Sequence, residues 1–242
     1  LEGWLADYTV PTGSINEIVF VDTRVEGYEK ILAGIDSNVQ VVLLDQHRDG
    51  IEQIATYLSQ QRSMDAIHII SHGSSGSLQL GTGTLTHDSM TGQYADELAT
   101  IQQALSEQAD LLVYGCNFAE GVAGAEAATL LSALTGADVA ASTDLTGNVM
   151  FGGDWDLEVK TGSIETKVAV TEEIQMNWIG VLAETWMDAA TGTVIGGPAG
   201  NDWYVGDSAN NTPTAAGGGN DIMYGAGGDD NLQGGSGDDI LV

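Results

Sequence analysis

Two residues that could carry nucleophilic chemistry stand at the ends of two apolar runs. The run 109–117, ADLLVYGCN, is typical of a buried strand, and it stops at a glycine before presenting Cys116, the only cysteine of the chain. The run 66–73, AIHIISHG, passes in the same way into His72 and Gly73. Thiolate is the nucleophilic form of cysteine, and a neighbouring imidazole can generate it. The pair therefore indicates a cysteine–histidine site, provided that both strands lie in one sheet.

Each of these residues also has a structural interpretation. A lone cysteine at a strand end is commonly a small buried hydrophobe, but the matching run that ends at His72 favours catalysis for Cys116. His68 faces the same side of its strand as His72 but lies deeper in the strand, so we expect it to pack in the core. His47 and His87 fall in predicted loops and are expected to be solvated.

Alternating strands and helices must position the cysteine and the histidine. Strands are predicted at 17–22, 39–45, 66–73, 109–117 and 137–142, and helices at 28–34, 50–60, 93–107 and 124–135. This alternation predicts an α/β domain with a mostly parallel sheet flanked by helices. Because the carboxyl ends of parallel strands share one edge, His72 and Cys116 should emerge side by side. The run 77–86 predicts a hairpin at that edge, and 148–160 predicts an antiparallel ribbon.

The charge of the chain excludes several classes of partner. It carries 35 acidic and 6 basic residues, for a formal net charge of -29. Nucleic acids and anionic membranes require clusters of Lys and Arg, so the charge argues against both and favours a cation. No apolar run approaches the ~20 residues of a membrane helix. The start, LEGWLADYTV, lacks the features of a signal peptide, so the chain is either cytoplasmic or, as we expect, a piece excised from a protein that is exported by another signal. We also expect a monomer.

The composition changes at residue 183, and nonapeptides then recur. From there on the chain holds 14 glycines, nine acids and no Lys or Arg. Three copies, 216–224, 225–233 and 234–242, follow a degenerate copy at 197–205. They match the RTX calcium repeat G-G-x-G-x-D-x-U-x, which supplies hard oxygen ligands to Ca²⁺ from glycine-rich turns. The predicted calcium-site residues are Gly197, Gly200, Asp202, Gly217, Gly219, Asp221, Gly228, Asp230, Gly235, Gly237 and Asp239.

In such a parallel β-roll consecutive turns alternate sides, so calcium should bridge turns that are two repeats apart. Asp221 and Asp239 are the expected pair. We expect Asp230 to pair with Asp202 only if the insert 206–215 loops out, and otherwise with a turn beyond Val242. The chain ends in the middle of the repeats, which predicts a truncated array. Without Ca²⁺ the stacked acids repel one another, and we expect the tail to be disordered. The alternative, a flexible acidic linker, is disfavoured by the fixed period.

The two apolar runs also carry a resemblance to a known family. Strand-His-Gly followed 44 residues later by strand-Gly-Cys resembles the caspase-like cysteine peptidases, which include legumain, clostripain, gingipains and the autoprocessing domains of large RTX toxins. The region 18–182 is similar to an uncharacterised caspase-like domain of very large bacterial RTX and adhesin-type proteins, through FVD, LLDQHRDGIEQIA, IHIISHGSSGSLQLG, LLVYGCN and ASTDLTG with GGDWDLE. The expected organisation is an extension at 1–16, a caspase-like peptidase domain at 17–182 and RTX repeats at 183–242.

The resemblance implies a role for each candidate residue. His72 and Cys116 would be the catalytic pair, and the backbone N–H groups of Gly73 and Cys116 would form the oxyanion hole. The specificity pocket maps onto Asp22, Ser142 and Asp144. An acid there would favour a basic residue before the scissile bond.

If the enzyme cleaves its own chain, the candidate cleavage positions depend on that pocket. Lys160 and Lys167 suit an acidic pocket, whereas Leu182 is the candidate if the preference is apolar, as in toxin autoprocessing domains. The sequence thus predicts a calcium-dependent cysteine endopeptidase that processes its exported parent protein or a neighbouring one. The main alternative is a catalytically silent structural module of a large calcium-binding adhesin. A glycan- or surface-binding module is a weaker one, because no aromatic platform is evident.

Overall fold

A six-stranded sheet positions the two candidate catalytic residues. The computed structural model describes residues 16–183, 186–187, 203–206, 210, 221–225 and 227–242. The strands are β1 (Glu17–Asp22), β2 (Gln40–Leu44), β3 (Met64–Ile70), β4 (Gly73–Ser74), β5 (Ser77–Leu80), β6 (Gly83–Thr86), β7 (Leu105–Val113), β8 (Asp138–Ala141), β9 (Val159–Lys160), β10 (Trp186–Met187), β11 (Trp203–Val205), β12 (Ile222–Tyr224) and β13 (Ile240–Leu241). The helices are α1 (Tyr28–Leu32), α2 (Gly50–Leu58), α3 (His87–Thr91), α4 (Ala95–Ala104), α5 (Gly121–Thr135) and α6 (Glu172–Asn177).

The sheet has the order β2-β1-β3-β7-β8-β9. Its first five strands are parallel, and β9 runs antiparallel to β8. The chain moves outward from β1 to β2 and then returns to the other side of β1 with β3, so the strand order reverses there. Such a reversal opens a crevice beyond the carboxyl ends of the strands, where open α/β sheets bind ligands. The predicted mostly parallel α/β sheet with flanking helices is confirmed.

Two apolar layers cover the sheet. On one face α4 packs between α2 and α5, over a core that includes Phe20, Ile67 and Leu111. On the other face a second core contains Tyr114 and Trp178 and is covered by α1, α6 and irregular segments. The central strands β1, β3 and β7 are buried on both faces, which explains why their sequences read as continuous apolar runs.

Three elements differ from the prediction. The strand β2 is as apolar as the central strands, yet it forms the sheet edge and leaves Val41 and Leu43 41% and 45% exposed. The predicted ribbon at 148–160 is wrong: a 3₁₀ turn, Val149–Phe151, opens this segment and only β9 pairs with the sheet. Phe151, Trp155 and Leu157 pack on the second core without forming a paired strand, whereas Val149 and Met150 are exposed. The helix predicted at 93–107 ends at Ala104, and β7 begins immediately afterwards.

The repeats form a small parallel sheet of their own, in the order β10-β11-β12-β13. Ile222 pairs with Ile240 and Met223 with Leu241, so neighbouring strands are two repeats apart. Leu232, from the repeat between them, packs against the Tyr204–Met223 cluster. This spacing agrees with a parallel roll whose consecutive turns alternate sides.

Candidate active site and calcium-binding repeats

The ends of β3 and β7 approach each other closely just beyond the sheet. A side chain on Gly73 would place its Cβ 2.9 Å from the Cα of Gly115 and 3.0 Å from the carbonyl oxygen of Cys116. These distances are shorter than real Cβ contacts, so only glycine fits at residue 73. The close approach brings the segment that carries His72 against the segment that carries Cys116.

The N–H groups of Gly73 and Cys116 both point at one carbonyl oxygen. That oxygen belongs to Leu182, and the two hydrogen bonds measure 2.9 Å from Gly73 and 3.0 Å from Cys116. Two backbone donors that converge on one oxygen are the arrangement that an oxyanion hole requires. The structure thus brings together the two donors that the family resemblance had paired.

An extended segment, 180–183, lies across both strand ends. The N–H of Leu182 donates to the carbonyl of Thr146 at 2.8 Å, and the N–H of Asn148 donates to the carbonyl of Gly180 at 2.9 Å. Gly147 and Val181 form an antiparallel bridge, and Ala183 forms a parallel bridge with Gly73. The segment is therefore held on both sides by backbone hydrogen bonds, as a bound peptide would be.

The thiol of Cys116 is buried and hydrogen bonded to one residue. Its Sγ accepts a hydrogen bond from the N–H of Thr146 at 3.1 Å and donates one to the carbonyl of the same residue at 3.5 Å. Burial raises the pKa of the thiol well above its usual range, although the N–H groups of Thr146 and Leu182 act in the opposite direction. The sulfur is therefore protonated at neutral pH in this arrangement.

The imidazole of His72 is buried near the end of β3. Its Nε2 is 3.4 Å from the carbonyl oxygen of Arg24. Burial lowers the pKa of the ring below its usual range, against the effects of the Arg24 carbonyl and the Asp22 carboxylate. A hydrogen bond to the backbone of Ala183 also opposes the shift. His72 is thus a neutral base beside the residue that follows Leu182.

The three predicted pocket residues have other contacts. The buried carboxylate of Asp22 accepts hydrogen bonds from the N–H groups of Gly81 at 2.6 Å and Arg24 at 2.9 Å, which ties β1 to the β5–β6 hairpin. The hydroxyl of Ser142 donates to the carbonyl of Asp144 at 2.9 Å. Their role in a specificity pocket stays a prediction. The side chain of Leu182, whose carbonyl the two N–H groups bind, is instead fully buried in the apolar second core.

The loop that contains Ser142 and Asp144 supports the turn after Cys116. Its carbonyl groups accept hydrogen bonds from the N–H groups of Ala119 at 2.8 Å and Asn117 at 2.7 Å. Asn117 has a φ of 58°, a left-handed conformation that asparagine tolerates better than most residues. This loop therefore fixes the direction in which the chain leaves Cys116.

The remaining histidines stand apart from the site. His68 is fully buried, with Nε2 2.6 Å from Glu17 Oε1 and Nδ1 2.9 Å from the hydroxyl of Tyr114, so its predicted core position is confirmed. His47 and His87 are exposed, as expected, although His87 opens α3 and is not in a loop.

Sequence reasoning missed the partner of the sulfur. Thr146 binds Sγ through its backbone N–H and carbonyl. Every residue type carries both groups, apart from proline, which lacks the N–H. No side-chain signal could have identified it. The glycine that follows, Gly147, was a weak signal, because it marks a close approach to the backbone of Gly180 and Val181.

A group of three exposed acids lies near this loop. One carboxylate oxygen from each of Asp144, Asp154 and Glu158 lies within 4.8 Å of the others. Partial burial raises the pKa of the Asp144 carboxyl, and the negative charges of Asp154 and Glu158 raise it further. The donor set consists of hard oxygen atoms, although exposed acids also cluster without binding ions.

The donors and turns of the repeats fit calcium. Asp221 is fully buried, and its N–H donates to Oδ1 of Asp239 at 2.9 Å, so the predicted pair lies on adjacent turns of one sheet. Gly228, Gly235 and Gly237 adopt φ values of 117°, 90° and 145°, which L side chains rarely adopt. Tight glycine turns beside aspartate carboxylates suit Ca²⁺, which takes six to eight oxygen ligands.

Five of the predicted calcium-site residues are not among those that the structure describes. Gly197, Gly200, Asp202, Gly217 and Gly219 lie outside the described residues. The strand that follows Asp202, β11, pairs with the strand that follows Asp221, β12. The expected pairing of Asp202 with Asp230 involves a residue outside the described ranges and stays a prediction.

Comparison with known proteins identifies two sequence families. A family described as Domain of unknown function (DUF4347) matches residues 18–182, and the RTX calcium-binding nonapeptide repeat (4 copies) matches residues 215–242. No curated protein and no solved structure matches the chain significantly. Within the part of the chain that the structure describes, no helix is long and apolar enough to cross a membrane. Since the first match spans more than half of the chain, the protein belongs to the DUF4347 family, and the repeats behind that domain bind Ca²⁺.

Proposed function

We propose that the region 17–182 is a caspase-like cysteine endopeptidase that cleaves its own polypeptide after calcium has folded the repeats. The observation that carries this proposal is the convergence of the Gly73 and Cys116 N–H groups on one carbonyl oxygen. Such donors stabilise the negative charge that develops on a carbonyl oxygen during nucleophilic attack. They lie beside a thiol and an imidazole, the two groups that cysteine peptidases use.

The roles of the two side chains follow from their positions. Cys116 is the nucleophile, and it must lose its proton to attack a carbonyl carbon. His72 is the neutral base that accepts this proton and then delivers it to the leaving amine, since burial disfavours its charged form. Asp22 acts on the imidazole through its charge, which makes it a positioning residue and not a group that contacts the reacting atoms.

The described arrangement is the uncleaved chain with the roll already formed. The thiol is protonated and bonded to Thr146, so the sulfur must leave that residue before it can react. The repeats supply a trigger, because β10 begins only three residues after Ala183 and Tyr224 of the roll packs against Phe151 of the domain. Calcium-driven folding of the roll would fix the chain on the far side of the site.

The repeats also favour a location for this chemistry. RTX repeats are typical of proteins that leave bacteria through a type I channel and fold where calcium is abundant. We propose that the protein is secreted or held at the cell surface as part of a large adhesin-type chain. The low calcium level of the cytoplasm would keep the roll unfolded and the peptidase idle until export.

A second candidate function is a silent structural module in a calcium-binding adhesin. The complete burial of the Cys116 thiol favours it, because a buried cysteine without a free path to substrate behaves as a small hydrophobe. In that case the segment 180–183 would be an ordinary part of the fold, and calcium would only stiffen the repeats.

The two functions predict different results when the chain is incubated with calcium, because only a peptidase would cleave it. The wild-type chain, Cys116→Ala, His72→Ala and the matched control His87→Ala are each incubated with millimolar calcium or with a chelator, and fragments are followed by electrophoresis. We expect fragments from the wild type and from His87→Ala only, and only with calcium. Circular dichroism checks that the intact variants are folded. Four intact chains would establish the structural module instead.

A further inference from the structure

We infer that the bond cleaved is Leu182–Ala183 and that the specificity pocket takes an apolar side chain; this inference rests on the proposed function. The carbonyl of Leu182 is the one that the Gly73 and Cys116 N–H groups bind, at 2.9 Å and 3.0 Å. A carbonyl in that position is the electrophile of the reaction. The protein therefore presents a bond of its own chain to its own site.

The residues that carry the two reactive side chains contact the two residues of this bond. The N–H of Leu182 donates to the carbonyl of Thr146 at 2.8 Å, and the N–H of Thr146 donates to the sulfur of Cys116 at 3.1 Å. Gly73, which follows His72, forms a parallel bridge with Ala183. The nucleophile is thus linked to the acyl residue, and the residue beside the proton donor is linked to the amine residue, the two partners that peptide-bond cleavage requires.

The burial of Leu182 assigns the pocket. Its side chain has no exposed surface and belongs to the same apolar core as Ile70 and Phe151. Burying an apolar leucine side chain is favourable, and this burial would hold the bond in register. The basic alternatives do not occupy the site in this way. Lys160 pairs with Ala140 of β8 and is exposed, and Lys167 is also exposed.

The reaction balances with water as the only added reactant. The thiol of Cys116 transfers its proton to His72, and Sγ attacks the carbonyl carbon of Leu182, whose oxygen becomes an oxyanion held by the two N–H groups. The C–N bond to Ala183 breaks as His72 gives its proton to the leaving amine, and a thioester remains. Water then adds to the thioester carbon, the carboxylate of Leu182 forms, and the thiol is restored.

Cleavage here would separate the two parts of the chain. The domain would end at Leu182, and the calcium-binding repeats would begin with a new amino terminus at Ala183. Calcium would therefore bind the part that is released, while the reactive groups stay with the part that remains.

The test maps the new termini and varies the residue in the pocket. The full chain is incubated with millimolar calcium in ¹⁸O-labelled water, and the fragments are identified by mass spectrometry. We expect one fragment that ends at Leu182 with ¹⁸O in its new carboxylate and one that begins at Ala183. Leu182→Asp should cut about 100-fold more slowly, and Leu182→Met within about tenfold of wild type. The control Ile179→Asp, at a residue that is 39% exposed, should cut normally.

Each of the other outcomes would overturn one part of this inference: the cleaved bond, the apolar pocket or the role of the segment 180–183 as substrate. Cleavage at another bond that still requires Cys116 would overturn the assignment of Leu182–Ala183 and leave the peptidase standing. Normal cleavage in Leu182→Asp would overturn the apolar pocket. If the wild type stays intact while Leu182→Asp exposes Cys116 to iodoacetamide, the segment 180–183 is a cover and not a substrate. If Leu182→Asp does not fold, the new termini of the wild-type fragments alone show whether the bond Leu182–Ala183 is cleaved.

Discussion

The N–H of Cys116 donates a 3.0 Å hydrogen bond to the carbonyl oxygen of Leu182, the last residue of the stretch that matches the DUF4347 family. The bond joins the residue with the only thiol of the chain to the end of the domain that contains it. A second donor, Gly73, reaches the same oxygen at 2.9 Å. The geometry therefore couples the candidate nucleophile directly to the junction with the remainder of the chain.

The burial of Cys116 predicts that its thiol reacts slowly in the native protein. Its pKa is raised by burial and its Sγ is bonded to Thr146, so little thiolate forms and little of it is accessible. In a chelator at about pH 8, we expect iodoacetamide to label the native chain at least about 100-fold more slowly than the urea-unfolded chain. Mass spectrometry counts the label. Equal rates in the two states would contradict the buried thiol.

Gly73→Ala tests whether the close approach of the two strand ends matters for activity. The new Cβ would meet the backbones of Gly115 and Cys116 at 2.9–3.0 Å, so the two N–H donors must move apart. We expect cleavage to fall by about 100-fold or more and the free energy of unfolding to fall by about 1–3 kcal/mol.

A control substitution at a second glycine distinguishes an effect of lower stability from an effect of displacing the two N–H donors. Gly152 has a φ of 78°, and a Cβ added there would meet no heavy atom within 4 Å. Gly152→Ala should therefore cost about 1–2 kcal/mol of stability through backbone strain alone and still allow cleavage. Wild-type cleavage in Gly73→Ala would show that the two donors are not an oxyanion hole.

The lowered pKa of His72 predicts a pH dependence of stability. In the unfolded chain the imidazole titrates at about pH 6.5, so below that pH the unfolded state binds a proton that the folded state resists. The contribution of His72 to the free energy of unfolding is therefore complete above about pH 6.5 and is lost as the pH falls toward the lower pKa of the folded state. Urea midpoints at about pH 7.5 and about pH 5.5 should differ more for wild type than for His72→Gln. His87→Gln, which changes an exposed histidine, should behave as wild type, and identical pH slopes in all three would count against the buried neutral ring.

The fold was predictable where apolar runs decide the structure. The centres of β1, β3 and β7 follow from continuous burial on both faces. The exposed edge position of β2 could not be predicted, because Val41 and Leu43 are as apolar as residues in the central strands. The early start of β7 was also hidden, since Leu105 pairs with Met64 before a polar stretch that alone does not indicate a strand.

The candidate site was predictable only in its side chains. His72 and Cys116 could be located because each ends an apolar strand beside a glycine. The backbone of Thr146 that holds the sulfur, and the carbonyl of Leu182 that lies between the two N–H donors, carry no residue-specific signal. Leu182 could be named as one cleavage candidate, but its preference over Lys160 and Lys167 required the three-dimensional position of each residue.

The pairing of Asp221 with Asp239 predicts where calcium binding is most sensitive to substitution. Asp239 accepts the N–H of Asp221 and stands at the aspartate position of the last repeat. Asp239→Asn should weaken calcium binding about tenfold or more, because affinity at such sites depends on the number of charged ligands. Calcium titration followed by circular dichroism measures it. Asp238→Asn removes the same charge one residue earlier, and an equal loss in that variant would mean that only net charge matters.

The most direct measurement is the intact mass of the wild-type chain beside that of Cys116→Ala after calcium is added. The proposed mechanism predicts two wild-type fragments that meet between Leu182 and Ala183, and a single uncut mass for Cys116→Ala. A wild-type chain that stays whole while its repeats fold, or a Cys116→Ala chain cut at the same bond, would contradict it.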